Sequence, residues 1–260
     1  MSFGYVLFAI GEEYNRMAYA LALSVKIHQN ANVSLISDTL NQPDIYDEVI
    51  KINPSVFGGR FMAHDRSFIY DLSPYDETVH IESDCLVLNN LDSWWNQLKS
   101  FDLKFCKKIV HFDGNTFDHK HHPTHRSAFK INCLPHDLRC AVFWFRKTQD
   151  NANFFNMIRS CSIDPKFIKK HMPHFSESPD SFDACVAMAS EEFQNYSDIT
   201  DNQNVMSFCH AKYELVGNGE TFFNGDLYVN GYRQHNIFHY VYKAWMDETK
   251  IKILEDIYER

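Results

Sequence analysis

Tyr5 to Ile10 is an unbroken apolar run closed by Gly11, and a run of that length predicts a strand buried on both faces. The pattern then changes period. From Glu13 to His28 the residues Met17, Leu21 and Val25, with Ala18 and Ala22 beside them, recur at helical spacing in an alanine-rich context. Asn32 to Asp38, "NVSLISD", predicts a second strand. Strand, helix and strand in so short a stretch form a βαβ unit, hence a parallel pair joined by a right-handed crossover.

Asp65 to Asp71 has a mixed helical pattern that ends at the breaker Ser73-Pro74. A strand then opens near Thr78 and runs through "HIESDCLVL" to the turn signal Asn89-Asn90, and Asp92 is placed as the N-cap of a short helix carrying Trp94, Trp95 and Leu98. Further strands are expected at 103–106, 108–112 and 141–146, and helices at 150–161, 182–190 and 234–258. The span 113–140 has no period and reads as a long excursion. No repeat or linker divides the chain. The expected architecture is a single α/β domain over 1–260, a mostly parallel sheet with helices on both faces.

Two acids interrupt the strand that starts near Thr78. Residues two apart on a strand share a face, so Glu82 and Asp84 are expected side by side with Ser83 opposite. Paired carboxylates repel and are costly to bury unless a cation neutralises them. Oxygen-rich ligands favour hard ions such as Mn²⁺ or Mg²⁺, which commonly also hold a substrate's phosphates. The plain alternative is a solvated acidic strand end. Asp38 and the Glu82/Asp84 pair both fall at carboxyl ends of expected parallel strands, where ligands of open α/β sheets bind.

Composition adds the setting. Seven cysteines lie scattered without a CxxC pair, which suits ordinary burial in a reduced compartment. The N-terminal apolar run is short and has no basic residues before it, and no segment approaches the roughly 20 apolar residues of a membrane span. A soluble, cytoplasmic protein with no membrane partner is expected. The net charge of −9 argues against a polyanion partner, but its distribution reverses that inference locally. Residues 104–174 hold 13 Lys and Arg against 5 Asp and Glu, and 8 of the 14 His, including "HKHHPTHR". Such a segment fits a polyanion acceptor, nucleic acid included, or a charge-mixed loop packed on the acidic remainder. The His-x-His-His run also leaves a zinc site open.

The segment "FIYDLSPYDETVHIESDCLVLNNLDSWW" resembles the core of GT-A glycosyltransferases, and within them the glycogenin-like and galactosyltransferase-like group, family 8-like, with Glu-x-Asp where the family has Asp-x-Asp. "YVLFAIGEEYNRMAYALALSVKIH" is similar to that family's first strand, nucleotide loop and first helix. "LISD", "CAVFWFRKTQDNANFF", "SPDSFDACVAMAS" and "FCHAKYELVG" follow in family order. The resemblance implies a metal-dependent transferase that moves a sugar from a nucleotide-diphosphate sugar, preferably a UDP-sugar, to an acceptor hydroxyl, hydroxymethylated-base DNA being one acceptor that fits the basic segment. A glycan or lipopolysaccharide acceptor, and a catalytically silent GT-A binding module, are the alternatives. Residues 1–100 would form the nucleotide-binding half and 101–260 the acceptor-side half that completes the metal site.

Residue by residue, the resemblance places Ile10, Gly11 and Tyr14 near the donor base, Asp38 at the base edge and Arg66 on the diphosphate. Asp84 becomes the firm metal ligand, Glu82 a ligand or ribose contact, and His210 the distant ligand, with Lys212 on the diphosphate. Asp183 faces the donor sugar, with Asp180 as its alternative. A sugar contact of this kind leans towards a retaining reaction. A nucleotidyltransferase is disfavoured because Gly11 stands alone before Glu12-Glu13, with no glycine-rich phosphate loop.

Overall fold

The expected βαβ opening forms as β1 (Phe3–Ala9), α1 (Glu12–His28) and β2 (Asn32–Ser37). The computed structural model describes residues 2–40, 43–53, 63–106, 109–115, 139–163, 182–193, 200–201, 205–208 and 221–260. β1 enters α1 through Gly11, whose φ of 84° lies in the left-handed region that an L side chain avoids. Glu12 and Glu13 in the first turn of α1, and Lys26 and His28 in the last, complement the helix dipole. Met17, Leu21 and Val25 are fully buried against the sheet. Each such burial contributes about 1.5–3 kcal/mol.

The chain continues through β3 (Glu48–Lys51), a 3-10 turn (Ala63–Phe68), α2 (Ile69–Leu72), β4 (Glu77–Ile81), β5 (Cys85–Val87), α3 (Asp92–Leu98), β6 (Leu103–Cys106) and β7 (Ile109–His111). After these come β8 (Arg139–Arg146), α4 (Gln149–Ile163), α5 (Phe182–Glu192), β9 (Thr200–Asp201) and β10 (Met206–Phe208). The hairpin strands β11 (Thr221–Phe223), β12 (Leu227–Val229) and β13 (Tyr232–Arg233) precede β14 (Ile237–His239) and α6 (Glu248–Tyr258).

The main sheet has seven strands in the order β3-β2-β1-β4-β8-β6-β9, with β8 running against its neighbours β4 and β6 and the remaining pairs parallel. A second sheet, β5-β14-β10-β7, and a small antiparallel sheet, β11-β12-β13, complete the described strands. Side-chain alternation divides the main sheet into two cores. Leu7, Val79, Ile81 and Trp144 pack with α1, α3 and α6 on one face. Val6, Phe143 and Phe145 pack with Ile69, Phe154, Phe155 and Val186 on the other. Helices therefore flank both faces, as expected. Among the described residues, no helix is long and apolar enough to cross a membrane.

Three expectations are corrected. The strand from Thr78 to Leu88 is two strands in two sheets, so Glu82 and Asp84 occupy the turn between them and the strand alternation that paired them does not apply. Leu91, not Asp92, is the N-cap of α3, and the Asn90 side chain accepts the Asp92 N–H at 2.8 Å. The helix expected over 234–258 forms only from Glu248, where the Asp247 carboxylate caps it by accepting from the Lys250 N–H at 3.1 Å. Ahead of it, Asn236 and Val241 have φ of 57° and 53°, values a helix excludes, and between them Ile237–His239 pairs as β14.

Candidate functional site

The acidic turn is fixed by backbone bonds from three strands. The Glu82 N–H donates to the Ala141 carbonyl of β8 at 2.8 Å, and the Cys85 N–H closes the turn on the Glu82 carbonyl at 3.2 Å. Ser83 Oγ donates to the Phe8 carbonyl of β1 at 2.8 Å. From the exit of β14, the Tyr240 N–H donates to the Asp84 carbonyl at 3.0 Å. With the backbone so held, the two carboxylates have little freedom to separate.

Charges converge on this turn. Arg66, on the 3-10 turn, forms an ion pair with Glu82. His239, the last residue of β14, brings Nε2 to 3.2 Å from Asp84 Oδ1 and 3.5 Å from Glu82 Oε2. The ligand atoms of Asp84, Cys85 and His239 all lie within 4.8 Å of one another. Asp183, in the first turn of α5, accepts the Cys140 N–H at 2.8 Å, so the start of β8 contacts Asp183 through one residue and Glu82 through the next.

The electrostatics follow from this crowding. Burial raises the Glu82 pKa above the ordinary carboxylate value against the pull of Arg66, and Asp84 adds to the rise. Burial also works against ionised Asp84, yet His239 and Arg66 together bring its pKa below the usual range. Arg66 is held firmly charged: burial opposes the charge, and Glu82, Asp183 and Asp84 more than offset it. Cys85 is driven far above its usual pKa by burial and then by Asp84 and Glu82, so it stays a thiol.

Beside the turn lies a cavity of about 270 Å³, walled by the apolar or aromatic Phe8, Ile10 and Tyr14 and by the charged Arg66, Glu82 and Asp84, with Ser83 and His80 also lining it. Burial pushes the His80 pKa down to about 3, with Arg66 adding to the shift, so the imidazole is neutral. Lys243 meets the cavity wall at Tyr14. Its Nζ donates to the Tyr14 hydroxyl, lies 3.8 Å from the Tyr14 ring centroid and 3.7 Å from Glu13 Oε2. Burial opposes the Lys243 charge, but Tyr14, Glu13 and Asp84 raise its pKa above the ordinary value.

Of the residues named from sequence, Ile10, Tyr14, Arg66, Glu82 and Asp84 share this cavity wall. Asp183 stands within the electrostatic reach of Arg66 and Glu82. Gly11 and Asp38 meet each other: the Gly11 N–H donates to both Asp38 oxygens at 3.2 Å, and Asn15 Nδ2 reaches Asp38 Oδ1 at 3.3 Å. Asp38 thus holds the entry to α1 and is not among the residues of the cavity wall. Asp180, His210 and Lys212 lie outside the described residues, as does most of the basic segment. His239 and Lys243 were missed. Their signal was the stretch "NIFHYVYKAW", whose β-branched and aromatic residues favour a strand over the helix expected there.

This sheet order, with β8 reversed in an otherwise parallel array and an acidic turn at its centre, is the GT-A class of α/β fold. Solved glycosyltransferase structures share that fold, among them the following two. Mouse xyloside xylosyltransferase 1 in its apo form superposes with a TM-score of 0.51 at 10% identity, over 92% of this chain and 97% of that one. The apo structure of WbbM, a bifunctional glycosyltransferase, gives 0.56 at 12% identity over 99% of this chain; the chain spans about half of WbbM, 49%. At such identities the likeness is one of fold. By sequence, no protein-family model and no curated protein matches the chain.

Proposed function

We propose that the chain is a glycosyltransferase that moves a sugar from a nucleotide-diphosphate sugar, a UDP-sugar in the first instance, to an acceptor hydroxyl, with Mn²⁺ or Mg²⁺ held by Asp84 and His239. One observation carries the reading: in a GT-A fold, an acidic turn paired with Arg66 and His239 lines a cavity whose wall also includes Phe8, Ile10 and Tyr14. The ligand chemistry fits. Carboxylate oxygen and imidazole nitrogen suit Mn²⁺ or Mg²⁺.

Cleaving a nucleotide sugar leaves a diphosphate whose growing charge must be stabilised. The bound divalent ion supplies Lewis-acid stabilisation of that charge. Arg66 supplies fixed positive charge beside Glu82, and Lys243 supplies it once it leaves Tyr14. The Tyr14 ring, with Ile10 and Phe8, offers an apolar face for the base. Asp183, held by the Cys140 N–H, contacts the sugar or stabilises positive charge at the anomeric carbon, an arrangement that leans towards retention. Incubation with a panel of nucleotide sugars and Mn²⁺, with free nucleotide read by mass spectrometry, tests this. Release from one donor that stops on chelation supports it, and absence of release from every donor leaves the silent binding module.

The second reading concerns the acceptor. A local charge of +8 over residues 104–174 favours a polyanion, hydroxymethylated DNA among them, over a neutral glycan. Transfer to such an acceptor falls steeply as salt rises, and salt-insensitive transfer overturns this reading.

A further inference from the structure

β4 turns Val79 and Ile81 to one core and His80 to the other, in the row Val6–His80–Phe143. The ring centroid of His80 lies 4.8 Å from that of Phe143, and the side chain is 1% exposed. Most neighbours on this face are apolar, and a phenylalanine would suit the same place. What the imidazole adds is polar, and one of its nitrogens is committed. Nδ1 lies 2.8 Å from the Val6 carbonyl oxygen, which only accepts, so Nδ1 carries the proton and donates. Nε2 is therefore a bare lone pair. It is buried and, among the described residues, has no hydrogen-bond partner.

The other polar side chains around the cavity are engaged with one another. Glu82 pairs with Arg66, Asp84 with His239, Ser83 with the Phe8 carbonyl, and Tyr14 with Lys243. Buried acceptors left without a donor are uncommon in folded proteins and costly, and they concentrate where a ligand or water completes them. His80 lines the cavity, so the missing donor can come from what the cavity holds.

We infer that His80 Nε2 is a specificity-determining acceptor, receiving a hydrogen bond from an O–H or N–H of the bound nucleotide sugar. The inference rests on the nucleotide-sugar reading and deepens it. The chemistry is selective: phosphate oxygens only accept, so the diphosphate cannot satisfy His80, and the group that does belongs to the sugar, the ribose or the base. His80 positions the donor and takes no part in bond making. Its loss should therefore raise KM and leave kcat nearly unchanged.

The test is calorimetric titration, with Mn²⁺ present, of uridine, UMP, UDP and UDP-glucose into the wild type, His80→Phe and His80→Gln. Phenylalanine keeps the aromatic contact with Phe143 and removes the acceptor; glutamine restores an acceptor oxygen near the position of Nε2. His80→Phe is expected to weaken binding about tenfold, the usual range for one lost hydrogen bond, and His80→Gln to recover most of it. The smallest ligand that shows the loss identifies whether base, ribose or sugar supplies the donor. UDP-2-deoxyglucose and other hydroxyl-deleted donors, bound to the wild type, give the same answer without any substitution. Equal affinity of wild type and His80→Phe for every ligand overturns the inference alone, leaving a buried water as the occupant. Failure of the wild type to bind any of the four overturns the nucleotide-sugar reading and this inference with it.

Discussion

An arginine–carboxylate pair flanks β4 at each end, Glu77 opening the strand and Glu82 following it. At its start, Arg146 gives Glu77 Oε1 two bonds, at 3.1 and 2.9 Å, and the same guanidinium reaches Asp102 at 2.9 Å and the Lys99 carbonyl at 3.0 Å. At its end, Glu82 pairs with Arg66 while Asp84 and Asp183 crowd the same space, balanced by one imidazole. The first cluster ties β4, β8 and the loop before β6 together. The second leaves more acid than base beside a cavity, a deficit that a divalent ion would correct. Similar pairs beside one strand thus have different meanings: at the start Asp102 is half exposed and water meets its charge, whereas at the end three carboxylates face Arg66 and His239 beside an open volume.

Substitution should pull the two ends apart. Asp84→Ala, at the cavity end, should reduce metal-dependent nucleotide release by at least about a hundredfold, the scale of losing a main electrostatic group, while the melting temperature holds. Turnover near the wild-type rate would remove the metal role from this turn. Next in size, Arg66→Met should lower kcat/KM by roughly ten- to a hundredfold. Arg146→Met at the other end should instead cost about 2 kcal/mol of stability through lost charge-assisted bonds, with activity per folded molecule kept. Denaturant titration beside steady-state kinetics separates these outcomes, and a reversed pattern breaks the comparison.

Between the two ends, His80 makes the strand sensitive to acid. Its pKa lies at about 3 in the fold against 6.5 ordinarily. The unfolded chain therefore takes up a proton that the folded one refuses. Stability is lost as pH falls from 6.5 towards 3, and the slope has the sign of a group whose folded pKa is depressed. Melting curves of wild type and His80→Phe should diverge progressively over that window, the variant falling less. The smallest effect belongs to the Tyr14–Lys243 contact. Tyr14→Phe keeps the ring under Lys243 and removes its hydroxyl partner, and should change the KM for the donor about two- to fivefold at constant kcat.

The sequence made the opening of the fold readable because β1, α1 and β2 are each governed by local period: a continuous apolar run, an alanine-rich helical face and a second run ending at Ser37-Asp38. It also brought Ile10, Tyr14, Arg66, Glu82 and Asp84 to one place by resemblance, and the cavity wall joins them. What it concealed was non-local. "HIESDCLVL" has strand character throughout, and only the pairing of Cys85–Val87 with Ile237–His239 explains why the chain leaves one sheet for another at the acids. That partner was hidden in turn, because 234–258 ends in a true helix and the pattern was extended backwards over β14. His239 and Lys243 were lost with it. No periodicity announces a left-handed Val241, and that residue separates the strand bearing His239 from the turn bearing Lys243.

The most direct measurement is anomalous diffraction from crystals grown with Mn²⁺ and UDP. A donor site built on the acidic turn predicts an anomalous peak within bonding distance of Asp84 and His239, with the UDP phosphates between that ion and Arg66. Clear density for UDP with no peak at Asp84, or a peak whose ligands exclude both Asp84 and His239, would contradict it.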